Sequence, residues 1–369
     1  MCRIVRKLGR PWVVVALFAL VYAGLILARN DCDPMAFALV GTRYAAGDPQ
    51  GTSGYDGQFS YYIARDPANG WQFCDVPAYR LQRILYSVLA WVLAFGQVEA
   101  VPWTLVALNA AALASGTYFT ERLLLARGVS PWYALGYGLY GGLVSGLRLD
   151  LAEPTAHALL QAGLWAWEQQ RTSVSVGLFA LSALAKETTL VAVAGVGLAL
   201  LLNRDWRRAV WLGIGAVAPF ALWQAVLWAW LGAPGVGSGG AMATPFEWLP
   251  FGGLLRVAMV SRPVFWRLLA VLGPLFVVPT LWALAASARA AARKQWHPWV
   301  LVLLVQALVL LFLPFSTWRE PLAIARFATG LVSATLLYGA LRRSKRILNY
   351  SMAWLATLAL LIDESVLPV

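Results

Sequence analysis

Ionisable side chains are scarce in this chain, and most that stand apart from basic clusters fall in a few short segments. Asp56 lies in "GYDGQFSYYIARDP", with Arg80 and Arg83 in "YRLQRILYSVLAW". Arg148, Asp150, Glu153 and His157 share "RLDLAEPTAHALL"; Lys186 and Glu187 interrupt "LFALSALAKETTL"; Arg319, Glu320 and Arg326 belong to "STWREPLAIAR". The chemistry open to this set is narrow. There are two histidines, His157 and His297, and no HExxH, CxxC or P-loop pattern, so a zinc site or a nucleotide-phosphate cradle has little support. No GxSxG elbow appears. What remains is a carboxylate that could act as a base, with arginines and a lysine that could hold an anion. That suits transfer from a phosphate-bearing substrate: the carboxylate takes a proton from an incoming hydroxyl, and the cations stabilise the departing phosphate. Arginine suits phosphate because its planar fork binds two oxygens. The structural alternative is that these groups form Arg–carboxylate pairs pinning helix ends.

The elements that must position them are membrane helices. Of 369 residues, 60% are hydrophobic and 12% charged, with a mean hydropathy of +0.66. A soluble domain would be about a quarter charged. The pattern predicts an all-α polytopic membrane protein. Spans fall at about 11–28, 103–121, 131–148, 155–168, 173–186, 188–203, 207–231, 264–289, 298–315, 327–341 and 348–363, eleven in all. The nineteen tryptophans suit many membrane–water interfaces. Arg3, Arg6, Lys7 and Arg10 precede the first span and place the N-terminus in the cytoplasm. With that start, 17 of 29 Lys and Arg fall on the cytoplasmic side, accompanied by only Glu121, Glu168 and Asp205. The formal charge of +12 is then largely a positive-inside signature, not a nucleic-acid patch.

The chain divides into a cytoplasmic N-terminus with the first span (1–28), an outer loop (29–102), a helical core (103–231), a second outer loop (232–263) and C-terminal spans (264–369). Two stretches bend this scheme. Leu81–Val98 is apolar enough to span, but a crossing there inverts everything downstream, so it reads as a helix lying in or dipping into the outer interface. Thr172–Asn203 reads as two short antiparallel helices meeting at Lys186-Glu187; one long tilted helix is the alternative. Cys32 and Cys74 share the first loop and could form a disulfide or stay as thiols, and Cys2 precedes the first span. Ionisable groups at or just inside a membrane boundary are expensive unless paired or facing water, which marks the outer set as functional candidates.

"GYDGQFSYYIARDP" resembles the acidic first outer loop of the C-type (GT-C) membrane glycosyltransferases, and is similar to the corresponding pattern in GPI-type mannosyltransferases and related bacterial proteins. "YRLQRILYSVLAW" resembles the interfacial helix after that loop, and "RLDLAEPTAHALL" a later outer loop with an acid before a short span. "LFALSALAKETTL" resembles the break between two short helices in aminoarabinose and protein mannosyl transferases. The order agrees over roughly the first 200 residues; beyond them only hydropathy agrees, and "TWREPLAIAR" is the weakest match. The resemblance implies a GT-C-like fold with interfacial helices in the first outer loop, and a polyprenyl-phosphate-linked sugar donor. It implies inverting transfer at the outer face with neither metal nor cofactor. By that resemblance Asp56 is the catalytic base and Glu153 a second acid orienting the acceptor or an arginine. Arg80, Arg83 and Lys186, with His157, Arg319 and Arg326, would contact the donor phosphate. The family often pairs two acids in this loop; Asp56 has no acidic neighbour, which leaves Asp33 in "NDCDP" as the rival base.

The sequence reading is therefore a glycosyltransferase of the bacterial-type plasma membrane, with membrane lipids around it and no nucleic acid as partner. No long polar C-terminal region follows, which favours a lipid or glycan acceptor over a folded protein. The alternatives are a transporter or flippase of a lipid-linked or anionic solute, which the lack of an internal repeat disfavours, and a non-catalytic assembly protein.

Overall fold

The computed structural model describes residues 9–362, and among them every regular element is a helix. The arginines and lysine before position 9, Cys2, and the two acids after position 362 lie outside the described residues. The elements that position the site are α1 (Pro11–Arg29), α2 (Gly57–Arg65), α3 (Pro77–Leu81), α4 (Ile84–Leu93), α5 (Val101–Ala126), α6 (Gly141–Arg148), α7 (Glu153–Glu168), α8 (Thr172–Ala185), α9 (Leu190–Leu202), α10 (Trp206–Leu231), α11 (Arg262–Ala292), α12 (Pro298–Leu311), α13 (Pro321–Phe327) and α14 (Thr329–Leu341).

Four helical runs are long and apolar enough to cross a membrane: α1, α5 with its leading turn (Val98–Ala126), α10 and α11. A fifth is added if α13 and α14, bent by 47° at their junction, count together. The other expected spans consist of shorter helices. The stretch 131–148 breaks at Leu139-Tyr140, inside a run that holds Gly136, Gly138, Gly141 and Gly142, each a weak helix former. The Gly141 N–H freed there donates to Thr357 Oγ1 at 2.9 Å. After Ser351 the chain tightens into a 3₁₀ helix, Met352–Leu361. Thr172–Asn203 is two helices: Lys186 is extended (φ −158°, ψ 120°) between α8 and α9, so the single-helix alternative is not what forms. α4 has ten residues, about 15 Å, which is too short to cross a bilayer.

Both α10 and α11 carry a π-helical turn, Gly213–Val217 and Gly273–Val277, and each turn precedes a proline, Pro219 and Pro279. A mid-helix proline removes one N–H and collides with the carbonyl four residues earlier. For Pro279 that carbonyl is Leu275, and it accepts instead from Trp354 Nε1 at 2.6 Å. Helices embedded in lipid gain little from apolar burial against each other, so close approach through small residues carries the packing. At Gly195 of α9, an added Cβ would lie 2.5 Å from Val302 Cα of α12. The largest buried side chains, among them Trp299, Trp318, Trp354, Tyr137 and Tyr140, form one core with these helices.

Polar contacts sort to two opposite ends. At one, the basic end, Arg10 meets Glu121, Arg127 meets Glu168, Asn203 donates to Trp296 O, and Arg342 donates to Gln295. Those bonds join the start of α1 and the ends of α5, α7, α9, α11 and α14. At the other end, bonds among Asp56, Arg80, Glu153, Lys186 and Arg326 join α2, α3, the start of α7, the α8–α9 break and α13.

Candidate functional site

The site is built where the loop before α2 seats on the turn between α6 and α7. Gly54 has φ +63°, a conformation glycine adopts without strain. A Cβ on Gly57 would run into the carbonyl of Leu149, so glycine lets this loop touch the turn that leads to Glu153. Asp56, between the two glycines, is thereby brought into one network with Glu153.

Each arginine around Asp56 is anchored by a different acid. Arg80 gives Nε and Nη2 to Asp75 at 2.7 and 2.8 Å and stacks over Phe59 at 4.2 Å; its Nη1 reaches Asp56 Oδ1 at 2.9 Å. Arg326 gives Nε to Glu153 Oε1 at 2.8 Å and Nη1 to the Tyr55 hydroxyl at 2.7 Å; its Nη2 reaches Asp56 Oδ2 at 3.0 Å. Tyr55 donates onward to Glu320 at 2.6 Å. Lys186 Nζ bonds the same Glu153 oxygen at 2.7 Å. Arg83 clamps Glu187 through two bonds of 2.9 and 2.6 Å and also meets Tyr79. From the loop between α10 and α11, the Ala241 N–H donates to Asp75 at 2.9 Å.

Burial is uneven. Glu153, Lys186 and Arg80 are buried, whereas the Asp56 side chain keeps 33% of its surface exposed. Burial works against the charged form of Asp56, and the guanidinium groups of Arg80 and Arg326 outweigh it, holding its carboxyl well below the usual carboxylate range. Asp75 is lowered in the same way: its bonds to Arg80 outweigh burial. Asp150, three residues before Glu153, is the opposite case. It is fully buried in a left-handed turn (φ 48°), neither carboxylate oxygen has a hydrogen-bond partner among the described residues, and burial pushes its carboxyl up against the pull of Arg148.

The network thus unites Asp56, Glu153, Arg80, Lys186 and Arg326; Arg83 and Glu187 form a separate pair beside it, Glu187 following Lys186 in the chain. His157 lies one turn along α7 from Glu153, buried, with Nδ1 lacking a partner among the described residues. Two expected members stand apart. Arg319 is exposed and lies over the Phe315 ring, and Asp33 is exposed and accepts from the Met35 N–H. Asp33 caps a short turn (Met35–Ala38), and no bond joins it to a cluster arginine. The cysteines do not pair: Cys32 is exposed and free, while Cys74 is buried and free, its thiol pushed up by burial to about 12. Asp75, Tyr55 and Glu320 complete the network; Glu320, like Glu187, belongs to the polar segments read from sequence, but none of these had been given a site role there. Asp75 carried one usable signal, since five residues separate it from Arg80 across the start of a short helix.

Two features differ from a preformed phosphate site. Asp56, Asp75, Glu153 and Glu187 balance Arg80, Arg83, Lys186 and Arg326 in charge, so this part of the network is neutral. Two cavities, of about 380 and 690 Å³, lie elsewhere and are lined by none of these residues. Both oxygens of Asp56 are engaged, so it is not a free base in this state. Comparison of the chain with protein-family models, curated proteins and solved structures finds no match.

Proposed function

We propose that this chain is a membrane glycosyltransferase that moves a sugar from a polyprenyl-phosphate donor to a lipid or glycan hydroxyl. The N-terminus would be cytoplasmic, the Asp56 cluster at the outer face, and the shorter helices would complete eleven crossings. The observation that carries the reading is the way the two arginines are held. Asp75 with Phe59 fixes Arg80, and Glu153 with Tyr55 fixes Arg326, each independently of Asp56. Asp56, about a third exposed, is the exchangeable acceptor of one N–H from each. A lipid phosphate can take over those two N–H groups while both arginines stay in place. Asp56 then loses the charges that depress its pKa and becomes basic enough to act. In the transfer step the acceptor oxygen forms a bond to the anomeric carbon on the face opposite the phosphate. The carbon–oxygen bond to phosphate breaks with its electron pair on the phosphate oxygen, and the acceptor proton passes to Asp56. Arg80 and Arg326 stabilise the charge that develops on the phosphate.

Asp56→Asn tests this in proteoliposomes supplied with polyprenyl phosphate and polyprenyl-phosphate sugars. Transfer is expected to fall about 10²–10⁴-fold, the usual worth of a general base. Binding of polyprenyl phosphate itself should hold or tighten, because a competing carboxylate has gone. Undiminished transfer, or loss of lipid-phosphate binding, would sink the mechanism. A second reading, a non-catalytic assembly protein, is favoured by the charge balance of the network. It requires wild type and variant alike to show neither transfer nor lipid-phosphate binding.

A further inference from the structure

The larger cavity, about 690 Å³, is a groove along the side of the bundle between α5, α7 and α8. Small side chains leave it empty: Ala111 and Ala112 on α5, and Ala158, Ala162 and Ala166 on α7. Along α7 it extends from Thr155 to Gln169, about 21 Å at 1.5 Å per residue. That exceeds one leaflet of a hydrocarbon core about 30 Å thick. No acidic side chain lines it, and its two cations, Arg122 and Arg171, both lie at the basic end. Arg122 rests over the Trp165 ring at 5.2 Å. The nearest acids in sequence cannot neutralise this pair, because Arg10 takes Glu121 and Arg127 takes Glu168.

An apolar channel of leaflet length, closed at one end by two arginines without carboxylate partners among the described residues, has the shape and charge of a lipid site. We propose that it holds one acyl chain of an anionic phospholipid, whose phosphate headgroup sits between Arg122 and Arg171. The site is distinct from the Asp56 cluster, which lies at the other end of the bundle and shares no lining residue with it. It requires the chain to lie in a bilayer but is independent of the transferase reading. A neutral lipid satisfies the channel and leaves both arginines unpaired; a second copy of the chain would cover the channel instead.

Native mass spectrometry of the full chain in detergent, offered phosphatidylglycerol and phosphatidylcholine, tests the assignment. Each arginine near the surface favours an anionic headgroup by roughly fivefold, so phosphatidylglycerol should be retained about 30-fold more strongly in the wild type. Arg122→Gln with Arg171→Gln should abolish the preference, and Ala162→Trp, which fills the channel and keeps both arginines, should abolish retention. Equal retention of the two lipids by the wild type overturns the proposal, as does a lipid-free dimer. If the variants do not fold, a photoactivatable phosphatidylglycerol on the wild type decides: cross-links on α5 and α7 support the site, and their absence refutes it.

Discussion

The two ends of the bundle handle charge differently. At the basic end, acids meet arginines largely one to one, as in Arg10–Glu121, Arg127–Glu168 and Asp205–Arg208, and other arginines remain exposed. At the Asp56 end, one arginine serves several acids and one acid several cations: Arg326 touches Asp56, Glu153 and Tyr55, and Glu153 also holds Lys186. Of the pairs at the basic end, Asp205–Arg208 is the one largely open to solvent, and such a pair contributes little to stability, whereas breaking a buried network strands the partners left behind. The Asp56 end has committed buried charge to a fixed geometry, the condition a binding or catalytic site needs and an interface anchor does not.

The largest break in this contrast is Arg326→Met. It leaves Glu153 with Lys186 alone and removes the donor to Tyr55 and one partner of Asp56. A loss of about 3–5 kcal/mol is expected, the range for removing one member of a buried ionic network, measured by denaturant or thermal unfolding in detergent. A loss under about 1 kcal/mol would make this end no different from the other.

Coupling sharpens the comparison next. Glu153→Gln strands Lys186 and Arg326, and Lys186→Met leaves Glu153 to Arg326, so the two changes should be strongly non-additive. A double-mutant cycle is expected to return a coupling of about 1–3 kcal/mol. The same cycle on the exposed pair Arg208 and Asp205 should return under about 0.5 kcal/mol. Matching values would remove the distinction between the ends.

Acidity tests two carboxylates of the Asp56 end. Asp56 and Asp75 have folded-state pKa values below their ordinary ones, so their contribution is complete at neutral pH and is lost as pH falls below about 4. Their share of the unfolding stability should therefore drop with acid from that point in the wild type. Asp56→Asn should flatten part of the slope; an unchanged slope would mean that the ion pairs of Asp56 contribute nothing to the folded state.

The all-helical fold, with apolar helices long enough to cross a membrane, was legible because its causes are local. Apolar runs, basic clusters and the polar interruption at Lys186-Glu187 each act over a few residues, and the structure places the basic clusters together at one end. Gly57 beside Asp56 makes a close approach to Leu149 that no local pattern reports. The pairings were not legible. Asp56 meets Arg326 across 270 positions, and Tyr55 meets Glu320 across 265, so which acid anchors which arginine is decided by helix packing. Asp33 looked equivalent to Asp56 as an acid in the same loop; what separates them is that Asp33 caps a local turn. Helix lengths were overestimated at 131–148 because hydropathy registers glycine-rich apolar sequence as continuous, although its backbone is weakly helical.

The smallest expected effect lies at the basic end and separates two roles of one side chain. Asp205 pairs with Arg208 at 3.6 Å, largely exposed, and its carboxylate also accepts the Arg208 N–H at 3.2 Å, capping the first turn of α10. Asp205→Ala removes both contacts and should cost about 1 kcal/mol, the usual worth of a cap. Asp205→Asn keeps a capping oxygen and removes only the charge, so its cost should stay under about 0.5 kcal/mol. If the asparagine variant loses as much as the alanine variant, the ion pair itself stabilises this end. The difference between the ends would then be one of burial alone, and the shared, many-partnered arrangement around Arg326 would lose its claim to a special purpose.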